Sequence, residues 1–141
     1  MRITHVQDTA RWVAMARALE SERPDRVFED AFARMLAGPR GEEISDTLER
    51  ILGNRWSIVA RTWLLDRAIS SCLESGKDAV LNLAAGFDTR PYRLALDPAL
   101  QWIEVDHPDV LQEKDAKLAN QRPICHLKRI ALDLSDATRR R

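Results

Sequence analysis

Apolar positions along the chain follow two different spacings, and the change falls at Gly76. Before it they recur every three or four residues, the signature of helices with one buried stripe. Trp12, Met15, Ala16 and Leu19 share such a stripe, and Asp8 or Thr9 can cap the helix that carries them. Pro24 suits a first helical turn and opens a second segment faced by Val27, Phe28, Ala31, Phe32, Met35 and Leu36, which Gly38-Pro39 ends. Ile44, Leu48, Ile51 and Leu52 predict a third helix stopped by Gly53-Asn54. A fourth, about Arg55 to Ser75, aligns Ile58, Thr62, Leu65, Ile69, Cys72 and Leu73 and stops at Gly76. At ~100° per residue Arg61 lies roughly 60° from the centre of that last stripe, an arginine on the edge of a buried face.

Beyond Gly76 the runs are short and strand-like. Ala79–Leu83 reads as a strand buried on both faces, followed by the small residues Ala84-Ala85-Gly86, which let the backbone turn tightly. Arg90 to Leu96 opens a helix or turn. Gln101–Val105 is a second strand ending at Asp106, and Pro108 sits in the first turn of a helix running to about Asn120. A third strand covers about His126 to Leu132 and ends at Asp133. Strand, helix, strand, helix, strand calls for parallel pairing with right-handed crossovers, so the class is α/β, a doubly wound sheet behind about four helices. Gly86, Asp106 and Asp133 then finish successive strands at one edge of the sheet, where ligands bind in such folds.

Composition changes this picture little. The 141 residues are 45% hydrophobic and 31% charged, with 22 basic side chains against 22 acidic ones, so the strong positive field of a nucleic-acid binder is missing. Arg139-Arg140-Arg141 is the only basic run and reads as a solvated tail. Cys72 and Cys125 lie far apart, without metal-ligand spacing, and read as core thiols of a reducing compartment. Charged residues interrupt the first 20 positions, no run approaches the ~20 apolar residues of a membrane span, and a cytoplasmic location is expected.

Two residue types at the strand ends suggest chemistry. An acid about 20 residues after a glycine turn is placed to accept from vicinal ribose hydroxyls, and Gly86 to Asp106 fits, although Asp106 could equally cap the helix before Pro108. Arg61 could cover apolar surface with its stem, or present its planar fork to a carboxylate. A dinucleotide site needs glycines where this chain has Ala84, Gly86 and Thr89, and Asp88 would repel a pyrophosphate. A nucleoside without phosphates that carries an amino-acid tail, S-adenosylmethionine, suits the turn better; an NAD(P)-dependent oxidoreductase is the enzymatic alternative.

Five stretches in order, DTARWVAMARALESERPDRVFEDAFARMLAG, RTWLLD, VLNLAAGFDTRPYRL, WIEVDHPDVLQEK and IALDL, resemble the leucine carboxyl methyltransferase family, with its bacterial S-adenosylmethionine-dependent O-methyltransferase-like members. The resemblance covers nearly the whole chain. It implies that Arg61 pairs with the cofactor carboxylate, that Ala84, Ala85 and Gly86 pass beneath the cofactor, that Asp106 holds the ribose, and that Asp133 and Leu134 lie against the adenine. It implies either a turn-stabilising role or ligand contact for Asp88, Thr89 and Arg90, a helical lid over residues 1–54, and a Rossmann-like binding unit over 55–141. Asp30-Ala31 stands where the family often has Asp-Pro. Methyl transfer from a sulfonium to a carboxylate needs alignment more than acid or base, so no catalytic residue is assigned.

The implied class I methyltransferase sheet has more strands than these three, so the sheet is expected to be incomplete, with an open edge at Ala79–Leu83 that invites association. A fragment, an inactive truncated product, or a chain that completes its sheet with another copy would each account for that. The functional expectation is an S-adenosylmethionine-dependent methyltransferase-like chain acting on a small-molecule carboxylate or hydroxyl, with transfer by these residues alone in question. Set against it is a non-catalytic remnant that self-associates or binds a partner. A homodimer or larger species is expected, without nucleic acid or membrane.

Overall fold

The computed structural model describes residues 6–52 and 55–136, with the side chains of 49–52 left aside; Gly53-Asn54 and the three terminal arginines fall outside this description. The chain forms two compact units, Met1–Gly76 and Lys77–Arg141.

The first unit is helical: α1 (Val6–Ser21), α2 (Ala33–Leu52) and α3 (Trp56–Glu74). Small side chains let α1 and α2 approach closely, with Ala14, Ala18, Ala33 and Ala37 buried beside Met15, Leu36 and Ile44. A Cβ at Gly41 would meet Ala37 Cβ at 2.8 Å and the Arg11 carbonyl at 3.0 Å, so this crossing requires glycine.

Three expectations change here. Helix α1 begins at Val6, and Asp8 is buried in its first turn, paired with Arg11 at 3.0 Å and Arg40 at 3.4 Å, instead of capping it. The stretch from Pro24 to Phe32 is irregular, and the second helix starts at Ala33. Polar side chains capture the amides that a helix would have used: Val27 N–H donates to Glu20 (2.9 Å), Asp30 N–H to Ser21 Oγ (2.8 Å) and Phe32 N–H to Asp30 (3.1 Å). A buried Arg17–Asp30 pair at 2.8 Å locks the loop. Gly38 does interrupt the helix, at φ 61° and ψ −176°, but α2 resumes at Pro39 and runs to Leu52 across the kink.

Helix α3 buries only Ile58, Val59 and Thr62; Leu65 and Cys72 are exposed, so the expected stripe ends after its first two turns and Cys72 is not a core thiol. Cys125, in the second unit, is buried, and burial pushes its thiol pKa up.

The second unit contains β1 (Ala79–Leu83), α4 (Arg90–Arg93), β2 (Gln101–Asp106), α5 (Pro108–Lys117) and β3 (His126–Ala131). The strands are parallel in the order β1-β2-β3, with Leu81 opposite Ile103 and Ile103 opposite Lys128, as the sequence pattern anticipates. A monotonic order with right-handed crossovers places both connecting helices on one face, the side of Trp102, Glu104 and Arg129. The opposite face is covered only in part: Val105 is buried there, but no residue of β1 is buried on either face, so the expectation of a strand buried on both faces does not hold. Leu81 is 63% and Leu83 56% exposed.

Candidate functional site

The turn after β1 is built from backbone conformations that side chains resist. Ala84 and Gly86 both sit at φ 53°, and for Ala84 the left-handed region costs about 1–2 kcal/mol. Such strain persists where surrounding bonds over-determine it. Here Ala85 N–H donates to the Val105 carbonyl (3.3 Å), Asp88 N–H to the Ala85 carbonyl (3.0 Å), and Gly86 N–H to Asp106 Oδ2 at 2.6 Å.

That last bond joins the glycine turn to the end of β2, bringing Ala84, Ala85, Gly86 and Asp106 together. The second oxygen of Asp106 accepts from His107 N–H at 2.6 Å. Asp106 is not the helix cap. His107 takes that place, its ring Nδ1 accepting from Asp109 N–H at 3.2 Å. Among the described residues Asp106 has no cationic partner, so it is a partly exposed carboxylate held in position by two backbone amides. Each oxygen retains acceptor capacity, which suits a pair of vicinal hydroxyls.

Asp88 differs in that both of its oxygens serve the turn. It accepts from Arg90 N–H (2.9 Å), from Arg90 Nη1 (2.6 Å) and from Asn82 Nδ2 (2.9 Å), which ties β1 to α4. Of the two roles open to the Asp-Thr-Arg run, Asp88 and Arg90 take the turn-stabilising one. Thr89 is fully buried and accepts from Arg93 Nε at 3.2 Å. With one amide committed to Asp106 and two carboxylates nearby, the turn is a poor cradle for a pyrophosphate and a better one for an uncharged or cationic nucleoside.

Asp133 follows β3 at the same sheet edge, since Leu132 N–H donates to the Asp106 carbonyl at 2.9 Å. Its Oδ1 accepts from Ser135 N–H (2.8 Å) and Ser135 Oγ–H (2.6 Å), and Leu134 beside it is partly buried. Arg61 belongs to the first unit, on α3; it is exposed, and no described residue pairs with it.

Behind the turn lies a charge cluster around a buried ion pair, which the apolar pattern alone does not predict. Lys114 on α5 and Glu104 on β2 are both fully buried and 2.8 Å apart. Arg129 on β3 donates to the same Glu104 oxygen (2.8 Å), to the Tyr92 hydroxyl (2.9 Å) and to Asp115. Burial pushes the Lys114 pKa down against the pull of Glu104. The signal was present in the sequence, because Lys114 shares the apolar stripe of Val110, Leu111 and Leu118, and Glu104 shares the strand face of Trp102.

No helix among the described residues is long and apolar enough to cross a membrane, and no described group of three or more His, Cys, Asp or Glu could hold a metal.

The chain is similar to proteins named for S-adenosyl-L-methionine-dependent methyl transfer. One from Streptomyces coelicolor is 37% identical over 138 residues, covering 91% of this chain and 49% of that protein. Another, from Mycobacterium bovis, is 33% identical over 147 residues, covering 94% and 45% respectively. A third, from Parafrankia, is 33% identical over 139 residues, covering 91% and 44%. The chain thus spans about half the length of the curated relatives it matches. The family model for leucine carboxyl methyltransferase matches residues 10–141, and the chain belongs to that family.

Proposed function

We propose that this chain binds S-adenosyl-L-methionine, and that the protein to which this sequence belongs transfers the methyl group to a carboxylate or hydroxyl of a small molecule. The observation that carries the reading is the Asp106 carboxylate, anchored to Gly86 N–H at 2.6 Å at the sheet edge where doubly wound folds bind nucleosides. Family membership and the names of the relatives support it. In this reading Asp106 takes the ribose hydroxyls and Ala84, Ala85 and Gly86 leave room beneath the cofactor. Asp133 and Leu134 border the adenine, and the family resemblance assigns the methionine carboxylate to Arg61. The bound cofactor supplies an already activated methyl group, so the protein contributes alignment and charge complementarity, and no residue is assigned as acid or base. The two free cysteines suit a cytoplasmic setting.

Isothermal titration with S-adenosyl-L-methionine tests the proposal. Asp106→Ala should weaken binding about 10- to 100-fold, the worth of hydrogen bonds to a charged group, and Arg61→Ala should weaken it by a similar factor. Asp106→Asn, which keeps an acceptor for Gly86 N–H, separates loss of the ligand contact from loss of the turn. Binding indifferent to all three changes would put the site elsewhere, and competition by NAD would favour a dinucleotide enzyme.

One observation favours a second reading, self-association. The β1 edge, unpaired among the described residues and beside exposed Leu81 and Leu83, is a template for pairing with another copy of the chain, as a homodimer or larger species.

A further inference from the structure

The cluster of Glu104, Lys114, Arg129 and Tyr92 is more elaborate than stability alone requires. Replacing buried ion pairs by well-packed apolar side chains is often neutral or stabilising, so a small domain gains little fold stability from burying the Glu104–Lys114 pair with the part-buried Arg129 beside it. The bonding is also lopsided. Glu104 Oε2 accepts from both Lys114 (2.8 Å) and Arg129 (2.8 Å), while the buried Glu104 Oε1 has no hydrogen-bond partner. What the cluster does supply is connection. Glu104 lies two residues before Asp106 on β2 and opposite Arg129 on β3. Lys114 fixes α5, whose chain begins directly after Asp106 and His107. Through Arg129 Nη2, the Tyr92 hydroxyl ties β3 to α4, the helix that leaves the glycine turn, at 2.9 Å. The charge of Asp88, inside the turn, acts on Lys114 as well.

We propose that the Glu104–Lys114–Arg129–Tyr92 cluster is a positioning device, clamping α4, α5 and β3 to β2 so that the Gly86 amide and the Asp106 carboxylate keep the spacing a nucleoside needs. The functional consequence rests on the reading of that turn as the S-adenosyl-L-methionine site; the positioning itself does not. Tyr92→Phe is the least invasive probe, because it removes one hydroxyl and keeps the ring. Lys114→Met is the stronger probe but carries a risk of unfolding.

Amide hydrogen exchange on the ligand-free chain, read by NMR, tests the device directly. In Tyr92→Phe the Gly86 amide should exchange about tenfold faster and lose part of its carboxylate-bonded chemical shift, the order expected for one lost hydrogen bond to a charged group. Amides within β2 should exchange at the wild-type rate. A merely structural role would instead raise exchange across β2 and Gly86 in parallel, and that result, or an unaltered Gly86, overturns the proposal. Titration of the wild-type chain with S-adenosyl-L-methionine is read separately. Absence of binding there would sink the cofactor reading and leave the exchange result decisive for the clamp.

Discussion

The two faces of the three-stranded sheet invert the usual distribution of side chains. The face under α4 and α5 holds Glu104, Lys114 and Arg129, whereas the open face shows Leu81, Leu83 and Ile130 to solvent. The Glu104–Lys114 pair is buried on the helix-covered side, while on the other side these three apolar side chains are exposed and only Val105 between Leu83 and Ile130 is buried. The covered face is a closed interior whose charged groups are paired within the unit, although Glu104 Oε1 and the Trp102 indole N–H are left without a partner among the described residues. The open face has the composition of an interior without a cover, because strands rising in the order β1-β2-β3 bring both crossover helices to the same side. In a doubly wound sheet the second face is covered only after the chain reverses direction beyond β1.

If the covered face is closed, removing one member of its ion pair must be expensive. Lys114→Met leaves Glu104 buried with Arg129 alone and should lower unfolding stability by about 3–5 kcal/mol, read by urea denaturation. A loss below about 1 kcal/mol would show that the pair contributes no more than a surface salt bridge, and the contrast between the faces would fail at its stronger side.

The same contrast shows what was legible in the sequence. The strands, the parallel order and the strand-end positions of Gly86, Asp106 and Asp133 were readable because glycine, proline and short apolar runs act locally. Residues whose state depends on side-chain partners or on strand order are not readable from the apolar pattern. Pro24 suggested a helix start, but the amides after it are taken by Glu20, Ser21 and Asp30, a competition that periodicity does not register. The apolar run AVLNL reads as a core strand, yet which face of a strand is covered is decided by strand order, and Leu81 and Leu83 are exposed. From sequence Asp106 fits either a helix cap or a ligand holder, and the cap belongs to His107, whose Nδ1 accepts from Asp109 N–H. Lys114 was visible on an apolar stripe, and a lysine in that position is itself a sign of a buried acid elsewhere.

The turn at the head of the sheet belongs to neither face and offers a change of intermediate size. Ala84 at φ 53° is strained, and Ala84→Gly removes the Cβ that causes the strain while loosening the unfolded chain. The difference should stabilise the protein by up to about 1 kcal/mol, seen as a rise in thermal midpoint. If the turn is the floor of the nucleoside site, S-adenosyl-L-methionine should bind the variant at least as well, since the glycine leaves more room beneath it. A destabilised variant would mean that Ala84 gains more from packing than it loses in backbone strain.

The smallest change in stability is expected on the open face, and there its smallness is the informative result. Leu81→Thr and Leu83→Thr place a β-branched residue, well suited to a strand, where leucine side chains are 63% and 56% exposed. Each should alter stability by no more than about 0.5 kcal/mol, as for surface positions in general. If the β1 edge and its leucines join two copies, the double variant should shift sedimentation towards the monomer at the same protein concentration, because the apolar part of the contact is gone while the backbone edge remains. A loss of about 2 kcal/mol or more per leucine would mean that these side chains are covered in solution, and the open face would then be an interior like its counterpart.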